Sequence, residues 1–224
     1  MSQFGDAWHL VHSCEEKLAA LSELHGQCLA EHSIKSSFLI EIKNFVENLR
    51  SALDYCARAL FAKFGRSKKV APRVYFPYAK LCDDCAKFLS EIVERSIPGL
   101  VAARPDIVDQ LASYQHFGNS GNWLLPLMDI TNENKHERLT PQVQKQYKTV
   151  RIRGTVPAGG NVSINLSKIS LGGGPDKPFH AVAGTWRGLE FADTGVLVML
   201  FLGLTLSNVR RVVEEISSLC GETG

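Results

Sequence analysis

Between residues 34 and 64 the sequence carries apolar residues in two adjacent rows at helical spacing. Phe38, Ile42, Phe45, Leu49, Ala52 and Cys56 make one row; Leu39, Val46, Leu53 and Leu60 make the next. Steps of three and four place residues on one side of an α-helix. A stripe two rows wide is too broad for one partner, so this helix must be packed from two sides. A chain built around it becomes a helical bundle. Gly65 ends the segment, and the basic stretch that follows, "RSKKVAPR", suits the negative end of a helix dipole.

The other segments fall into place around this one. Residues 7–30 predict a helix with a narrow seam of Ala7, Val11, Cys14, Leu18, Leu21, His25 and Cys28, the spacing of one helix lying along another. His25 in that seam reads as a partly buried histidine bonded to a neighbour. "VYFPY", 74–78, is a short extended piece broken by Pro77. Residues 80–97 predict an amphipathic helix showing Phe88, Ile92 and Val93, ended by Pro98-Gly99. Pro105 opens a further helix that stops at Gly118, and residues 123–139 predict another, with Leu124, Leu127, Met128 and Thr131 as its stripe and Thr140-Pro141 as its end.

After about residue 147 the period drops to two, in Val150, Ile152 and again in Val162, Ile164 and Leu166, which is the alternation of strands. Residues 193–219 return to helical steps through Leu197, Leu200, Leu204, Val209, Val212 and Ile216. The expected fold is therefore mainly α: a bundle of helices over 1–147, a small antiparallel β insertion over 148–191, and a C-terminal helix over 192–224 that completes the bundle.

Composition narrows the function classes. The chain has 224 residues, 45% of them apolar and 21% charged, enough core material to fold without staples. Its net charge of +2 lacks the clear basic excess of a dedicated nucleic-acid binder, although a local basic patch is compatible with it. The N-terminus has no basic region followed by an apolar run, and the longest apolar stretch, 196–206, is far short of the ~20 residues that span a bilayer. The six cysteines are scattered and read as buried thiols. A cytoplasmic protein with no membrane contact is expected. Cys82-Asp-Asp-Cys85 has metal-ligand spacing, but no second Cys or His pair accompanies it, so no metal is predicted. No phosphate-binding or dinucleotide glycine motif and no zinc-protease or serine-hydrolase signature occurs, and no cofactor is expected.

Two polar clusters interrupt this apolar plan. In "NLRSALDY", 48–55, Arg50 falls on one edge of the stripe, with Asp54 one turn on along the same flank; Asn48, Ser51 and Tyr55 line the other flank. A guanidinium at a core border seeks a carboxylate, and Asp54 at i+4 is the nearest candidate. In "NENKH", Asn132 and His136 share a face, Lys135 lies one turn after Thr131, and Asn134 points elsewhere. Asn is a poor helix-interior residue because its amide competes with the backbone. These groups either bond helix to helix or hold an anion. In the second case Arg50, Asp54 and His136 would carry catalysis, and Asn48, Tyr55, Asn132, Asn134 and Lys135 would bind ligand. In either case the two helices are expected to pack side by side, with Arg50 and Asp54 near the polar end of the later one.

"NLRSALDY", then "YFPY", then "NENKH" together resemble a widespread set of uncharacterised bacterial proteins, over about residues 34–140. Those chains read Asn-Leu-Arg-Ser-Ala-Leu-Asp-His, then an extended Phe-Pro segment, then Asn-x-Asp-Lys-His. More distantly, Arg and His separated by four residues is similar to the motif of HEPN-type helical proteins, several of which are metal-independent ribonucleases working as dimers. That resemblance implies phosphate held by Arg50 and Lys135, with RNA or nucleotide as ligand and a homodimer as partner. This chain departs from the motif, because Tyr55 stands where the His would be. A phenol titrates near pKa ~10 and is a poor general base at neutral pH, which leaves His136 to handle the proton. The first expectation is therefore a non-enzymatic interaction or regulatory bundle. The alternative is a HEPN-like RNA- or nucleotide-binding protein, with a degenerate metal-independent ribonuclease as its enzymatic form.

Overall fold

The computed structural model describes residues 2–66, 74–80, 84–118, 122–136, 139, 142–153, 162–165, 168–171 and 180–222, and their side chains except at 134–136, 148–153, 162–165, 168–171 and 180–186. The fold is mainly α, with an antiparallel β insertion before the C-terminal helix. Helix α2, Ser36–Phe64, is continuous and central, and Phe38, Ile42, Phe45, Leu49, Leu53, Cys56 and Leu60 on it are all buried. Helix α1, Gln3–Glu31, runs antiparallel to it, with the Cys14 thiol donating to the Phe45 carbonyl. The last helix, α8, Val198–Leu219, packs on both. It runs parallel to α2, since Lys63 near the end of α2 meets the Cys220 carbonyl at 3.1 Å. The wide stripe is thus filled from two sides, as its width demands.

Four short helices follow α2. They are α3, Cys85–Lys87; α4, Glu94–Ser96; α5, Leu100–Ala103; and α6, Pro105–Ser113. Between α3 and α4 lies a π-helical turn, Phe88–Val93, in which the Glu94 N–H reaches the Leu89 carbonyl five residues back. The wider turn aligns residues five apart, and it buries both Phe88 and Val93 on one side, which a regular α-helix would not do. Gly99 separates α4 from α5 at φ 88°, a conformation open to glycine and costly for other residues. Helix α7, Leu124–His136, packs against α2.

The insertion begins earlier than the alternation suggested. Strand β1 runs Gln142–Arg153 and pairs antiparallel with β4, His180–Phe191, over their full lengths. A smaller hairpin of β2, Val162–Asn165, and β3, Lys168–Leu171, lies between them in sequence. The base of the long ribbon is rooted in the core, where Leu189 and Phe191 are fully covered and the Phe191 ring meets Phe201 of α8 edge-on at 5.4 Å.

The C-terminal helix departs from its expected face. Leu200 and Leu204 are each 55% exposed, whereas Val198, Phe201, Leu202, Leu206 and Val209 are buried. The row through Leu197, Leu200 and Leu204 needed a step of five to reach Val209, and that step marks where it leaves the buried side. Nor are all cysteines buried: Cys14, Cys28 and Cys56 are, Cys85 is exposed and Cys220 is intermediate, while Cys82 lies outside the described residues. His25 packs near the Phe38 ring at 6.1 Å, and burial holds its pKa below the ordinary histidine value.

Chemical denaturation distinguishes the two faces. Leu53→Ala, in a fully packed site, should lower stability by about 2–5 kcal/mol. Leu204→Ala should change it by no more than about 0.5 kcal/mol, as for other exposed positions.

Candidate functional site

The two clusters meet, and between them runs the extended segment 74–79. Its Val74, Phe76 and Ala79 are buried, yet the segment belongs to no sheet. Buried backbone N–H groups must find acceptors, and without a neighbouring strand the acceptors must be side chains. Asp54 of α2 accepts from the Phe76 N–H at 2.8 Å. Gln115, 1% exposed, accepts from the Ala79 N–H at 2.9 Å through its carbonyl. The Gln115 amide nitrogen donates to the Pro77 carbonyl at 3.3 Å and to Leu111 of α6 at 2.9 Å. Asn132 of α7 donates to the Tyr78 hydroxyl at 3.5 Å, and an exposed Lys80–Asp129 pair at 2.7 Å closes the end.

Arg50 belongs to the same assembly. Its Nη1 donates to Thr131 Oγ1 at 2.8 Å and to Asn132 Oδ1 at 2.5 Å, tying α2 to α7. Thr131 is fully buried and passes its own proton back to the Leu127 or Met128 carbonyl within α7. Arg50 Nε is buried and has no hydrogen-bond partner among the described residues.

The expected packing of the two helices is therefore present, but the expected Arg50–Asp54 pairing is not. Among the described residues no ion pair joins them, because α7 offers Arg50 two oxygens directly across the helix contact. Asp54 turns instead to the extended segment.

The remaining candidates separate. Asn48 is half-buried on α2 and joins none of these bonds among the described residues. Tyr55 is half-buried against the core, with Arg58 over its ring at 5.8 Å. Ser51, Asp54, Tyr55 and Arg58 line a small hollow of about 130 Å³. Asn134, Lys135 and His136 lie in the last turn of α7, and their side chains fall outside the described residues.

Gln115 escaped the sequence reading altogether. It sits just past α6 in "SYQHF", and a single Gln carries no periodic signal; only the backbone it serves reveals it. Elsewhere, Tyr114 donates to Glu215 at 2.5 Å, and burial together with that carboxylate pushes its phenol well above the ordinary value. Burial pushes the Cys14 thiol up to about 12 and raises that of Cys56, so both stay protonated and are poor nucleophiles at neutral pH. No cluster of metal-ligating side chains occurs among the described residues, and no helix among them is long and apolar enough to cross a membrane. Comparison with protein-family models, with curated proteins and with solved structures finds no match for this chain.

The Asp54 contact has a specific chemical signature. Asp54→Ala leaves the buried Phe76 N–H without its acceptor and should cost about 1–3 kcal/mol. Asp54→Asn keeps an amide oxygen in the same place and should recover most of that loss in thermal or urea unfolding. Equal losses for both variants would show that the charge, not the acceptor, matters.

Proposed function

We propose that this protein is a non-enzymatic interaction module, a helical-bundle scaffold that presents its β insertion, and that the Arg50 and Asn132 clusters serve the scaffold. The observation that carries this reading is the engagement of the polar groups. Arg50, Asp54, Thr131, Asn132 and Gln115 are each committed to a bond across elements. Nη1 of Arg50 gives its donors to two oxygens of α7, one of them on the fully buried Thr131, and Nε is itself buried, so that side of the guanidinium is set into the helix contact. A guanidinium held this way acts as a strut between helices.

One observation favours a second reading, a HEPN-like RNA- or nucleotide-binding protein acting as a homodimer in the cytoplasm. The hollow beside Asp54 is bordered by Arg58 and Tyr55, a cation and a phenol on the surface of α2. At about 130 Å³ it is smaller than the ~300–1,000 Å³ of most small-molecule sites, which favours the scaffold reading.

Arg50→Ala separates the two. Under the scaffold reading its unfolding free energy falls by about 1–3 kcal/mol, because Thr131 and Asn132 lose a buried partner. Mononucleotide binding, followed by calorimetry, should be undetectable both before and after the change. Wild-type nucleotide binding that disappears in Arg50→Ala at unchanged melting temperature would establish the second reading.

A further inference from the structure

Helices α1 and α8 lie antiparallel, since Glu15 meets Arg210 while Phe4 shares a wall with Glu222. A groove runs between the start of α1 and the end of α8. It consists of two adjoining hollows, of about 590 and 270 Å³, which share Trp8, His12, Ser217 and Glu222 as walls. The larger falls within the ~300–1,000 Å³ of most small-molecule sites, unlike the hollow beside Asp54. None of its lining residues belongs to the Arg50 assembly, and the scaffold reading gives it no task.

The two ends of this groove are built alike. At the smaller hollow a ring and a carboxylate, Phe4 and Glu222, hold a cation of the chain itself: Lys63 Nζ lies 6.0 Å from the centre of the Phe4 ring and pairs with Glu222 at 2.7 Å. At the larger one Trp8 and His12, one helical turn apart, set their ring centres 5.6 Å from each other at 34°, as two tilted walls. Trp8 Nε1 is buried, so the surface the indole gives the groove is ring carbon. Glu214 supplies the carboxylate here; it is exposed and enters no ion pair among the described residues. Arg210 also lines this hollow, but it is turned to Glu15 of α1 at 2.9 Å. Arg210 thus offsets Glu15, Lys63 offsets Glu222, and the charge left over at this end is negative. An aromatic wall and an unbalanced carboxylate attract a cation in the same direction.

We propose that the groove between α1 and α8 binds a methylated ammonium group, with its N-methyl groups against Trp8 and His12 and its charge beside Glu214. Methylation decides between classes of ammonium. A bare ammonium is compact and strongly hydrated, and a groove open to solvent at His12 and Glu214 repays little of the water it would give up. An N-methylated one keeps the charge and adds apolar surface that gains from contact with ring carbon. The same head occurs on free quaternary amines and on methylated lysine side chains, and the test separates these sources. The site is independent of Arg50 and goes beyond the interaction reading above.

The experiment titrates the full chain with choline and follows the Trp8 indole N–H by NMR, assigned as the signal missing from Trp8→Leu. A saturable shift is expected. 3,3-Dimethylbutan-1-ol, which has the shape of choline without its charge, should leave that signal in place at equal concentration. Glu214→Gln should weaken choline binding about two- to fivefold. Arg210→Gln, one turn away, should tighten it by a similar factor, because Glu15 then stands unbalanced. Saturation transfer to the choline methyl protons should fall in Trp8→Leu about two- to fivefold as well. Glu214 and Arg210 are exposed, so their variants carry the test even where Trp8→Leu fails to fold. N-acetyl-trimethyllysine N-methylamide should also bind, and its unmethylated lysine counterpart should not. Tighter binding of this amide than of choline identifies a protein side chain as the source, and weaker binding a free small cation. The proposal is overturned by no saturable shift at millimolar choline, by an equal shift with the neutral alcohol, or by the opposite signs for Glu214→Gln and Arg210→Gln. A shift with inorganic phosphate that Arg210→Gln abolishes also overturns it and marks the groove as an anion site.

Discussion

A short stretch of backbone buried without a strand beside it is the constraint on which the rest of this structure depends. Segment 74–79 passes between α2, α6 and α7, and the amides of its buried Phe76 and Ala79 are met by side chains of the neighbouring elements. A sheet would satisfy them by repetition; a helical bundle cannot. Each contact has to be supplied by a particular side chain placed on a neighbouring helix. Asp54 and Gln115 do this directly. Pro77 reduces the demand by removing one donor from the middle of the segment.

Arg50 makes sense within that constraint. The groove holding the segment is bounded by α2 and α7, so its shape depends on how those helices are set. The Arg50 bonds to Thr131 and Asn132 fix that setting, and Asn132 in turn touches Tyr78 on the segment itself. Arg50 and Asp54 of "NLRSALDY", the "YFPY" segment and the first Asn of "NENKH" are therefore parts of one assembly, although 22 residues separate Asp54 from Phe76, 54 separate Tyr78 from Asn132, and 82 separate Arg50 from Asn132.

Much of the fold was legible in the sequence, for reasons that differ from element to element. The helices α1 and α2 were readable because a buried face repeats at 3.6 residues and leaves several concordant residues per turn. The strands were readable from period two, but β1 begins at Gln142, where "QVQKQ" contributes only one apolar residue to the alternation. On α8 an almost wholly apolar start gave no contrast, and the wrong row was chosen through Leu200 and Leu204. The π turn left a trace, the spacing of five between Phe88 and Val93, which a wheel drawn at a fixed angle cannot use. The site was legible as residue types and not as partners. Arg50 was read against its neighbour on the same helix, because sequence spacing shows local pairs and hides those across a helix contact. Gln115 had no pattern to betray it, since its role is defined by a backbone more than thirty residues away.

The central claim is that the polar clusters exist to satisfy a buried extended segment. It is tested most directly by native-state hydrogen exchange at the Phe76 and Ala79 amides. If Asp54 and Gln115 hold these two groups as described, both amides should exchange as slowly as those in the middle of α2, opening only with the bundle as a whole. Exchange of Phe76 and Ala79 at the rate of an exposed loop, while the α2 amides stay protected, would contradict the account.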